Sequence, residues 1–413
     1  MQTPTLAIDF GTSNSAAAVY GPGGVFRIPV EHGEETLPTA VFFPTDDGAM
    51  RIGASAARAL IAGEDGRYMR ALKSVLGLPL LHETRLIGGR RRTLAEIITQ
   101  FLIALRERSE AATGLQFRTA LSGRPVHFHS ADPAKDAQAE ADLRACYLAA
   151  GFETVSFLAE PEAAALAGHA MGNTGELGLI VDIGGGTSDF SVFASTDAMP
   201  TILANHGVRL GGTDFDHAIS MAHAMPLLGL GGQLRREMGA GLLPVPRGLY
   251  VDLSTWAKIP FLYSAETRRQ VANMRRLAVD ADAIGRLETV LETELGHELA
   301  FAVEHGKISA NDVQQSGRIN MGFIEPGLAC PISAQDVNSV LAEYRALLQD
   351  TAATTLSMAG VTPDQIGRII LVGGSSLMQL VTDAVADLCP DADVLRAEAF
   401  TAVVDGLAIA TQR

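Results

Sequence analysis

The sequence predicts an α/β protein built from two related lobes, and three observations carry this prediction. Of its 413 residues, 47% are hydrophobic and only 19% are charged, a composition typical of a chain with a large buried core. A short apolar run that ends in Asp and continues into a Gly/Thr turn occurs twice, within Leu6–Tyr20 and within Leu179–Phe193. Another apolar run, Arg368–Val372, leads into a Gly-Gly-Ser turn. The two similar units begin at Leu6 and Leu179. This spacing is too long for a solenoid repeat and suits two lobes that face each other.

The charge balance argues against two classes of partner. The formal net charge is −15, with 47 acidic residues against 32 basic ones. An acidic protein has no general affinity for nucleic-acid phosphates or for anionic membrane surfaces. We therefore expect neither nucleic acid nor a membrane among the partners of this chain.

Cysteine usage and the N-terminal segment predict a cytoplasmic protein. The three cysteines include no Cys-x-x-Cys pair, so neither a disulfide framework nor a zinc knuckle is indicated. The N-terminal segment has no basic leader followed by an apolar stretch, and no run of about 18 apolar residues occurs in the sequence. We expect neither secretion nor membrane insertion.

The first repeated unit is predicted to be a β-hairpin whose turn binds phosphate. Its first strand ends at Asp9-Phe10, and a small polar turn, residues 11–14, separates it from a second, mostly apolar strand. Glycine lets backbone N–H groups approach phosphate oxygens, and Thr and Ser hydroxyls donate further hydrogen bonds. Taken alone, the same pattern is also typical of an ordinary hairpin with a capping Asp.

The second unit repeats this pattern. Its strand ends at Asp182-Ile183, and residues 184–187 form a Gly-Gly-Gly-Thr turn. Two such turns in one chain favour a phosphate site over two unrelated hairpins, and a cleft between the lobes would hold both. Mg²⁺ keeps several waters and uses one or two carboxylates beside phosphate oxygens. Asp9 and Asp182 are therefore the candidate metal ligands.

Two other nucleotide-binding patterns are missing from the sequence. It contains neither G-x-x-x-x-G-K-[ST] nor a G-x-G-x-x-G turn between a strand and a helix. The turn at Gly373, Gly374 and Ser375 would admit a base or a sugar against bare backbone. Because Gly-Gly after a strand is a common turn, this motif alone predicts little.

Taken together, these motifs resemble those of the seventy-kilodalton heat-shock (DnaK-type) chaperones, within the actin, hexokinase and heat-shock ATPase superfamily. Further segments resemble the family in the same order: Glu35–Val41, Leu72–Gly77, Pro125, Glu160-Pro161, Leu210–Asp216 and Val404–Ala410. The resemblance covers essentially the whole chain. It implies an actin-like ATPase fold of two duplicated ribonuclease-H-like lobes around a nucleotide cleft. Lobe I would comprise residues 1–172 and 396–413, and lobe II residues 173–395.

The resemblance also implies ATP or ADP and Mg²⁺ as cofactors, with K⁺ as a further candidate ion. In such a site Lys73 positions the attacking water, and Glu160 orients a water or an ion. Thr12, Ser13 and Thr187 would contact the γ-phosphate. The implied catalytic residues are Lys73, Glu160, Asp182 and Thr187. The implied nucleotide-binding residues are Gly11, Thr12, Ser13, Asn14, Gly184, Gly185, Gly186, Gly211, Gly212, Glu304, Lys307, Ile308, Gly373, Gly374, Ser375 and Leu377.

The chain departs from the family pattern in three places. Ile308 and Leu377 stand where the family has two arginines that stack on the adenine, so we predict weaker ATP affinity. Thr213 stands where the family commonly has Glu. The segment of about residues 221–303 is longer than its equivalent in the family. In this respect the chain resembles the YegD-like branch, which is truncated and lacks the peptide-binding domain. Because the resemblance ends at the last ATPase helix, we expect no peptide-binding domain.

We predict an ATP-binding, heat-shock-like nucleotide switch related to chaperones, with weak Mg²⁺-dependent ATPase activity and a protein partner or client of unknown identity. One alternative is an actin-like scaffold or assembly protein. Another is a pseudo-ATPase that binds a partner without hydrolysis. A third is a small-molecule kinase in which Asp189 would be the base, although Lys73 and Glu160 argue against it.

Overall fold

The computed structural model describes residues 4–31, 33–45, 49–129, 131–168, 176–195, 200–311, 317–396 and 401–412. The chain divides by packing into two compact units. Unit 1 comprises Met1–Gly212 and Tyr344–Arg413, and unit 2 comprises Thr213–Glu343. The predicted boundary between lobes I and II at residues 172 and 173 lies outside the described residues, so that division stays a prediction.

Unit 1 is built on two large sheets with two small ones beside them. Its strands are β1 (Thr5–Phe10), β2 (Asn14–Gly21), β3 (Gly24–Arg27), β4 (Thr36–Pro38), β5 (Ala40–Pro44), β6 (Arg51–Ile52), β7 (Gly66–Arg70), β8 (Arg85–Ile87), β9 (Arg90–Arg92), β10 (Thr119–Arg124), β11 (Thr154–Ala159), β12 (Leu177–Ile183), β13 (Ser188–Ala194) and β14 (Thr201–Val208).

The remaining strands follow in chain order. Unit 2 contains β15 (Gln233–Arg235), β16 (Leu242–Pro244), β17 (Gly317–Asn320) and β18 (Ala329–Ile332), and the chain returns to unit 1 with β19 (Ile366–Val372) and β20 (Asp393–Arg396).

The helices are interspersed among these strands, and α6 to α9 follow one another without a strand between them. They are α1 (Ala54–Ile61), α2 (Leu94–Thr113), α3 (Pro133–Ala149), α4 (Glu160–Gly168), α5 (Gly212–Ile219), α6 (Gly248–Leu253), α7 (Ala265–Leu277), α8 (Ala281–Glu292), α9 (Gly296–Asn311), α10 (Ala334–Val340), α11 (Ala342–Ala359), α12 (Gln379–Leu388) and α13 (Ala402–Ala410). None of the helices in the described ranges is long and apolar enough to cross a membrane.

The two large sheets have the same strand order and the same strand directions. The first runs β11-β10-β1-β2-β3, with β4 also paired to β2. The second runs β14-β13-β12-β19-β20. In the first sheet, β2 pairs antiparallel with both β1 and β3. In the second sheet, β13 pairs antiparallel with both β12 and β14 in the same way. On the other side of the hairpin, β1 pairs parallel with β10, which pairs parallel with β11. Likewise β12 pairs parallel with β19, which pairs parallel with β20. Both repeated units of the sequence are therefore hairpins, as predicted.

Local sequence explains why the longest helix of unit 1 forms where it does. Helix α2 begins with a capping box, in which the Thr93 hydroxyl accepts from the backbone of Glu96 and the Glu96 carboxylate accepts from the backbone of Thr93. It ends at Gly114, whose φ of 71° is the left-handed conformation that glycine adopts without strain. Its buried face carries apolar side chains at helical spacing, among them Ile97, Phe101 and Leu105.

Helix α13 belongs to the core of the first sheet. It packs on α4 and on β1 and β2, in a cluster of small and branched side chains that includes Ala163, Val403 and Leu407. Arg27 on β3 donates to both carboxylate oxygens of Asp405, at 2.9 and 2.7 Å. A bidentate pair of this kind fixes the orientation of the helix on the sheet. The position of α13 bears on the predicted site because α4 begins at Glu160.

Unit 2 contains the whole of residues 221–303, the segment that the sequence predicts to be enlarged. Residues 221–303 include the short hairpin β15-β16, helices α6 to α8 and the first part of α9. The buried face of α8 carries Ile284, Leu287 and Leu291, which lie at helical spacing. The segment is therefore a folded part of unit 2.

Candidate functional site

The first predicted phosphate turn joins β1 to β2. A side chain at Gly11 would overlap the carbonyl oxygen of Asn14, so this position requires glycine. The turn is held from outside by the backbone of Thr39, which donates to the carbonyl oxygen of Ser13 at 2.9 Å. The hydroxyls of Ser15 and Thr39 are 2.8 Å apart in the buried region below it. The backbone of the turn is thus fixed by its neighbours.

The second predicted phosphate turn joins β12 to β13 and is held against a third segment. The N–H of Gly184 donates to the carbonyl of Thr187 at 3.0 Å, which closes the turn. The N–H of Gly212 donates to the carbonyl of Gly184 at 3.0 Å. A Cβ at Gly211 would lie 2.5 Å from the backbone nitrogen of Gly186, closer than real Cβ atoms come. Glycine at 211 therefore allows two backbone segments to touch.

The two turns meet, although they belong to different sheets. A Cβ at Gly185 would lie 2.6 Å from the Ser13 hydroxyl and 3.0 Å from Cβ of Thr12. A Cβ at Gly186 would lie 3.3 Å from the Thr12 hydroxyl. The structure therefore brings both Gly/Thr turns to one place, where a phosphate chain would find backbone N–H groups and hydroxyls from both.

The Gly-Gly-Ser turn after β19 lies beside the second phosphate turn. Gly373 has a φ of 82°, and a Cβ there would lie 2.7 Å from Oδ1 of Asp182. The adjacent Gly374 begins the short helical turn Gly374–Leu377. The hydroxyl of Ser375 lies against Gly212, and the side chain of Leu377 is 38% exposed. The four predicted binding segments of unit 1, residues 11–14, 184–186, 211–212 and 373–377, thus share one region.

An ion pair joins the predicted catalytic lysine to the start of α4. The Nζ atom of Lys73 lies 2.6 Å from Oε1 of Glu160, and both side chains are buried. Burial alone would lower the pKa of Lys73, but the charges of Glu160 and Asp9 outweigh it and raise the pKa. Lys73 is therefore a fixed, charged ammonium group.

Four carboxyl groups, those of Asp9, Glu160, Asp182 and Asp189, lie around the single ammonium group of Lys73. The pKa of Asp9 is raised to about 7, because the surrounding protein removes water from its carboxylate and Glu160 repels the charge, which Lys73 offsets only in part. The pKa of Asp182 is raised well above its usual range by burial first, then by Glu160 and the neighbouring aspartates. The pKa of Asp189 is raised to about 8 by burial and then by Glu160. Placing several negative charges together is costly, and a bound cation would reduce that cost.

A pocket borders Lys73 and both phosphate turns. Its walls combine residues of both phosphate turns with the lysine segment and the loop after β10. The lining residues are Thr12, Lys73, Ser74, Leu76, Pro125, Phe128, His129, Gly186, Thr187 and Arg209. The pocket is therefore the place where the terminal phosphate of a nucleotide would lie if the turns bind its phosphates.

The residues of the site fit Mg²⁺. One carboxylate oxygen of Asp189 is buried and has no hydrogen-bond partner among the described residues, and the nearby Asp9 and Asp182 supply further oxygens. Within the described ranges, no group of three or more His, Cys, Asp or Glu side chains is arranged to chelate a metal by itself. An ion here would need water and phosphate oxygens as further ligands, which is the usual way proteins bind Mg²⁺.

Three predicted binding residues lie in unit 2. Lys307 is buried, and its Nζ lies 2.7 Å from Oδ1 of Asp216. The indole N–H of Trp256 donates to the other oxygen of Asp216 at 3.3 Å. Glu304 precedes Lys307 by one turn of α9, and the side chain of Ile308 is 60% exposed. Lys307 thus has a structural partner within unit 2, and its contact with nucleotide stays a prediction.

Two residues of this region, Asp189 and Arg209, have surroundings that the sequence does not predict. The sequence indicates Asp189 as the base of the kinase alternative, and in the structure this residue pairs with Asp182 across the hairpin β12-β13. The hairpin register supplies the signal, because residues equally distant from the turn face each other. No sequence motif indicates Arg209, although this residue immediately precedes the Leu210-Gly211-Gly212 segment.

The raised pKa of Asp189 predicts how the metal-free protein responds to pH. Because the folded state holds this proton up to about pH 8 and the unfolded state releases it near pH 4, the stabilisation is fully present below about pH 4 and is lost progressively as the pH rises to about 8. Each such proton changes the free energy of unfolding by up to about 1.4 kcal/mol per pH unit. We expect the melting temperature without Mg²⁺ to fall between pH 5 and about pH 8, and to fall less in Asp189→Asn.

Thermal unfolding in EDTA at several pH values tests this expectation. The exposed Asp65 provides the matched control, since Asp65→Asn removes a carboxylate that lies in solvent. Equal pH slopes in wild type and Asp189→Asn would show that Asp189 does not hold a proton in the folded protein.

A comparison with protein families supports the same type of site. Residues 81–226 match the family model described as Hsp70 protein. This match covers about a third of the chain, including Glu160, the second phosphate turn and Arg209, and it supports an Hsp70-like, ATP-binding domain of the chaperone type. The mixed α/β architecture is consistent with an Hsp70 or actin-like ATPase fold. The first phosphate turn and Lys73 lie outside the matched residues, and the structure places them beside the matched ones.

Proposed function

We propose that this chain binds Mg²⁺-ATP with the phosphates on the two turns of unit 1 and hydrolyses it slowly. The observation that carries the proposal is the meeting of Thr12 and Ser13 with Gly185, beside the buried ion pair of Lys73 and Glu160. Glycine-rich turns with hydroxyl side chains bind phosphate, and a lysine next to them supports phosphoryl chemistry.

Each group of residues has a distinct part in the proposed reaction. The N–H groups of the turns and the hydroxyls of Thr12, Ser13 and Thr187 orient the phosphates. Asp9 and Asp182 would hold Mg²⁺, directly or through its waters. The ion neutralises charge on the phosphate oxygens when it is bound. Phosphoryl transfer depends mainly on positioning and electrostatic stabilisation, so fixed groups of this kind are sufficient.

Lys73 and Glu160 act together on the attacking water. The ammonium group lines the pocket and supplies positive charge where the terminal phosphoryl group gains negative charge. The carboxylate of Glu160 keeps Lys73 in place and accepts hydrogen bonds from a water beside it. Because Glu160 also offsets part of the lysine charge, the expected rate is slow.

The same contacts would allow the nucleotide to act as a switch. The two phosphate turns end strands of two different sheets, so a terminal phosphate bound by both would link the sheets. Loss of that phosphate removes the link and changes which conformation is favoured. We infer from the identical strand order that the two sheets descend from one duplicated unit, as in actin-like, ribonuclease-H-like folds. The output would be read by a protein partner or client.

Calorimetric titration tests the proposal. Nucleotide-free protein is titrated with ATP, ADP and GTP, with Mg²⁺ and with EDTA, and single-turnover hydrolysis is then measured for each nucleotide that binds. We expect Mg²⁺-dependent binding of ATP and ADP, followed by slow release of phosphate. Asp9→Asn should weaken the dependence on Mg²⁺, whereas Asp65→Asn should not.

The other outcomes separate the alternatives. Absence of nucleotide binding would overturn the proposal and favour a partner-binding pseudo-ATPase, for which the exposed aliphatic Ile308 is the supporting observation. Binding without hydrolysis would retain the site and remove the ATPase activity. Pelleting that depends on ATP and on protein concentration would favour an actin-like assembly protein.

A further inference from the structure

We propose that Arg209 contacts the terminal phosphate of the bound nucleotide and makes the site prefer triphosphates over diphosphates. The inference rests on the proposed function and deepens it, because it names the residue that distinguishes the two states of the switch. It starts from the position of Arg209 in the wall of the pocket, together with Thr12, Lys73 and Thr187.

The backbone around Arg209 is fixed relative to the second phosphate turn. The hydroxyl of Ser188 donates to the carbonyl of Leu210 at 2.7 Å. Two residues further, Gly212 donates to Gly184, and Gly211 touches the backbone of Gly186. These contacts hold the chain immediately after Arg209 against the turn, so the base of its side chain has a defined place at the pocket.

The guanidinium group is directed towards the lysine segment. Nη2 of Arg209 donates to the carbonyl oxygen of Ser74 at 3.1 Å, and Ser74 directly follows Lys73 in the chain. Both Ser74 and Arg209 line the pocket. The side chain of Arg209 therefore extends from the segment packed on the second phosphate turn to the residue that follows Lys73, and it borders the space next to that lysine.

The charges around the pocket explain why a second cation would matter there. Asp9, Asp182, Asp189 and Glu160 lie near Lys73, and Lys73 is already paired with Glu160. A terminal phosphate adds negative charge to a region where acidic groups outnumber the basic one. A guanidinium stays charged at every pH of interest and offers its five N–H donors in a planar fork that matches phosphate oxygens.

The exposure of Arg209 suits reversible contact with a ligand. Its side chain is exposed at the mouth of the pocket, so it reorients without losing a buried environment. With a triphosphate bound, the fork turns from the Ser74 carbonyl to the terminal phosphate. With a diphosphate bound, that phosphate is missing and the contact with Ser74 is retained. Arg209 thus links the nucleotide state to the segment that carries Lys73.

The test measures affinity rather than turnover. Wild type, Arg209→Ala and Arg209→Lys are titrated in Mg²⁺ with ADP and with a non-hydrolysable ATP analogue, and their thermal unfolding confirms that each is folded. Because charge-assisted hydrogen bonds are the strong ones, we expect Arg209→Ala to lower the preference for triphosphate about tenfold. ADP affinity should stay nearly constant, and Arg209→Lys should restore part of the preference. Arg91→Ala, at an exposed arginine on β9, is the control.

Each other result overturns a defined part of the inference. An unchanged preference in Arg209→Ala, or equal binding of both nucleotides by wild type, would refute the role of Arg209 and leave nucleotide binding intact. If Arg209→Ala loses equal affinity for both nucleotides, Arg209 does not distinguish them, and it supports nucleotide binding in general or the local structure. If wild type binds neither nucleotide, the proposed function fails, and the role of Arg209 fails with it.

Discussion

Replacing Lys73 by alanine is expected to slow the hydrolysis of bound ATP by about a hundredfold or more, in line with the loss of one preorganised group that stabilises developing charge. Nucleotide affinity should be largely retained, since in the proposed site the turns and their hydroxyls would supply most of the phosphate contacts. A change of this kind removes an interaction that is stronger in the transition state than in the ground state. Single-turnover hydrolysis and titration with ATP, measured on the same preparation, separate the two effects.

The same substitution should also reduce stability. Lys73 is buried against Glu160 at 2.6 Å, and its removal leaves that carboxylate uncompensated among Asp9, Asp182 and Asp189. Removing one partner of a buried ion pair costs about 3–5 kcal/mol. Protonation of the carboxyl groups lessens this cost at low pH, so the loss of stability should be larger at pH 8 than at pH 5.

A double variant separates catalysis from stability. Lys73→Ala with Glu160→Gln removes both charges, and it should recover much of the stability without recovering turnover. Lys135→Ala is the surface control, because the Lys135 side chain is 51% exposed and lies 3.4 Å from Asp132 outside the pocket. Turnover that survives in Lys73→Ala would show that the lysine is only a structural partner of Glu160.

The hairpins and their turns are predictable from the sequence because their signals are local. An apolar run ending in Asp, followed by glycines and a hydroxyl residue, specifies a strand and a tight turn within a few residues. The same holds for the capping box of α2, where Thr93 and Glu96 are three residues apart. The resemblance to heat-shock proteins added the order of the motifs, and the match over residues 81–226 supports that family.

The partners that each side chain finds in space are not predictable in the same way. Glu160 lies 87 residues from Lys73 in the chain, and Arg209 lies 135 residues from Ser74, so no local pattern indicates either contact. The pKa of Asp189 is raised mainly because its carboxyl group is buried, and the sequence does not indicate that burial. Burial and distant charge depend on how the sheets pack, which only the folded chain determines.

Replacing Gly406 by alanine is expected to destabilise unit 1 more than any surface change. Gly406 lies in α13, and a Cβ there would overlap the carbonyl group of Ala163 in α4 and come within 2.9 Å of its Cα. The obstacle is backbone rather than a flexible side chain, so the two helices must separate. Both helices belong to a buried cluster that includes Val404 and Ala408, and separation would open it.

Two opposing terms decide the sign of this effect. Alanine is the better helix former, by about 1 kcal/mol in a helix interior. Overpacking a well-filled core typically costs about 1–3 kcal/mol, and contact with backbone leaves little room for relaxation. The overpacking cost should therefore lie at the upper end of its range, and we expect a net loss of about 2 kcal/mol in the free energy of unfolding, measured by urea denaturation. Gly248→Ala is the matched control, because a Cβ there would meet no heavy atom within 4 Å in the described part of the chain.

The consequence should extend from packing to function, because α4 begins at Glu160. A shift of α4 away from α13 moves that carboxylate, and the ion pair with Lys73 spans only 2.6 Å. Gly406→Ala protein that remains folded should therefore bind ATP but hydrolyse it more slowly than wild type, in the same direction as Lys73→Ala. Stability equal to that of wild type would mean that α4 and α13 pack less closely than the contact between Gly406 and Ala163 requires. Normal turnover in a destabilised variant would show that Glu160 keeps its place independently of α13.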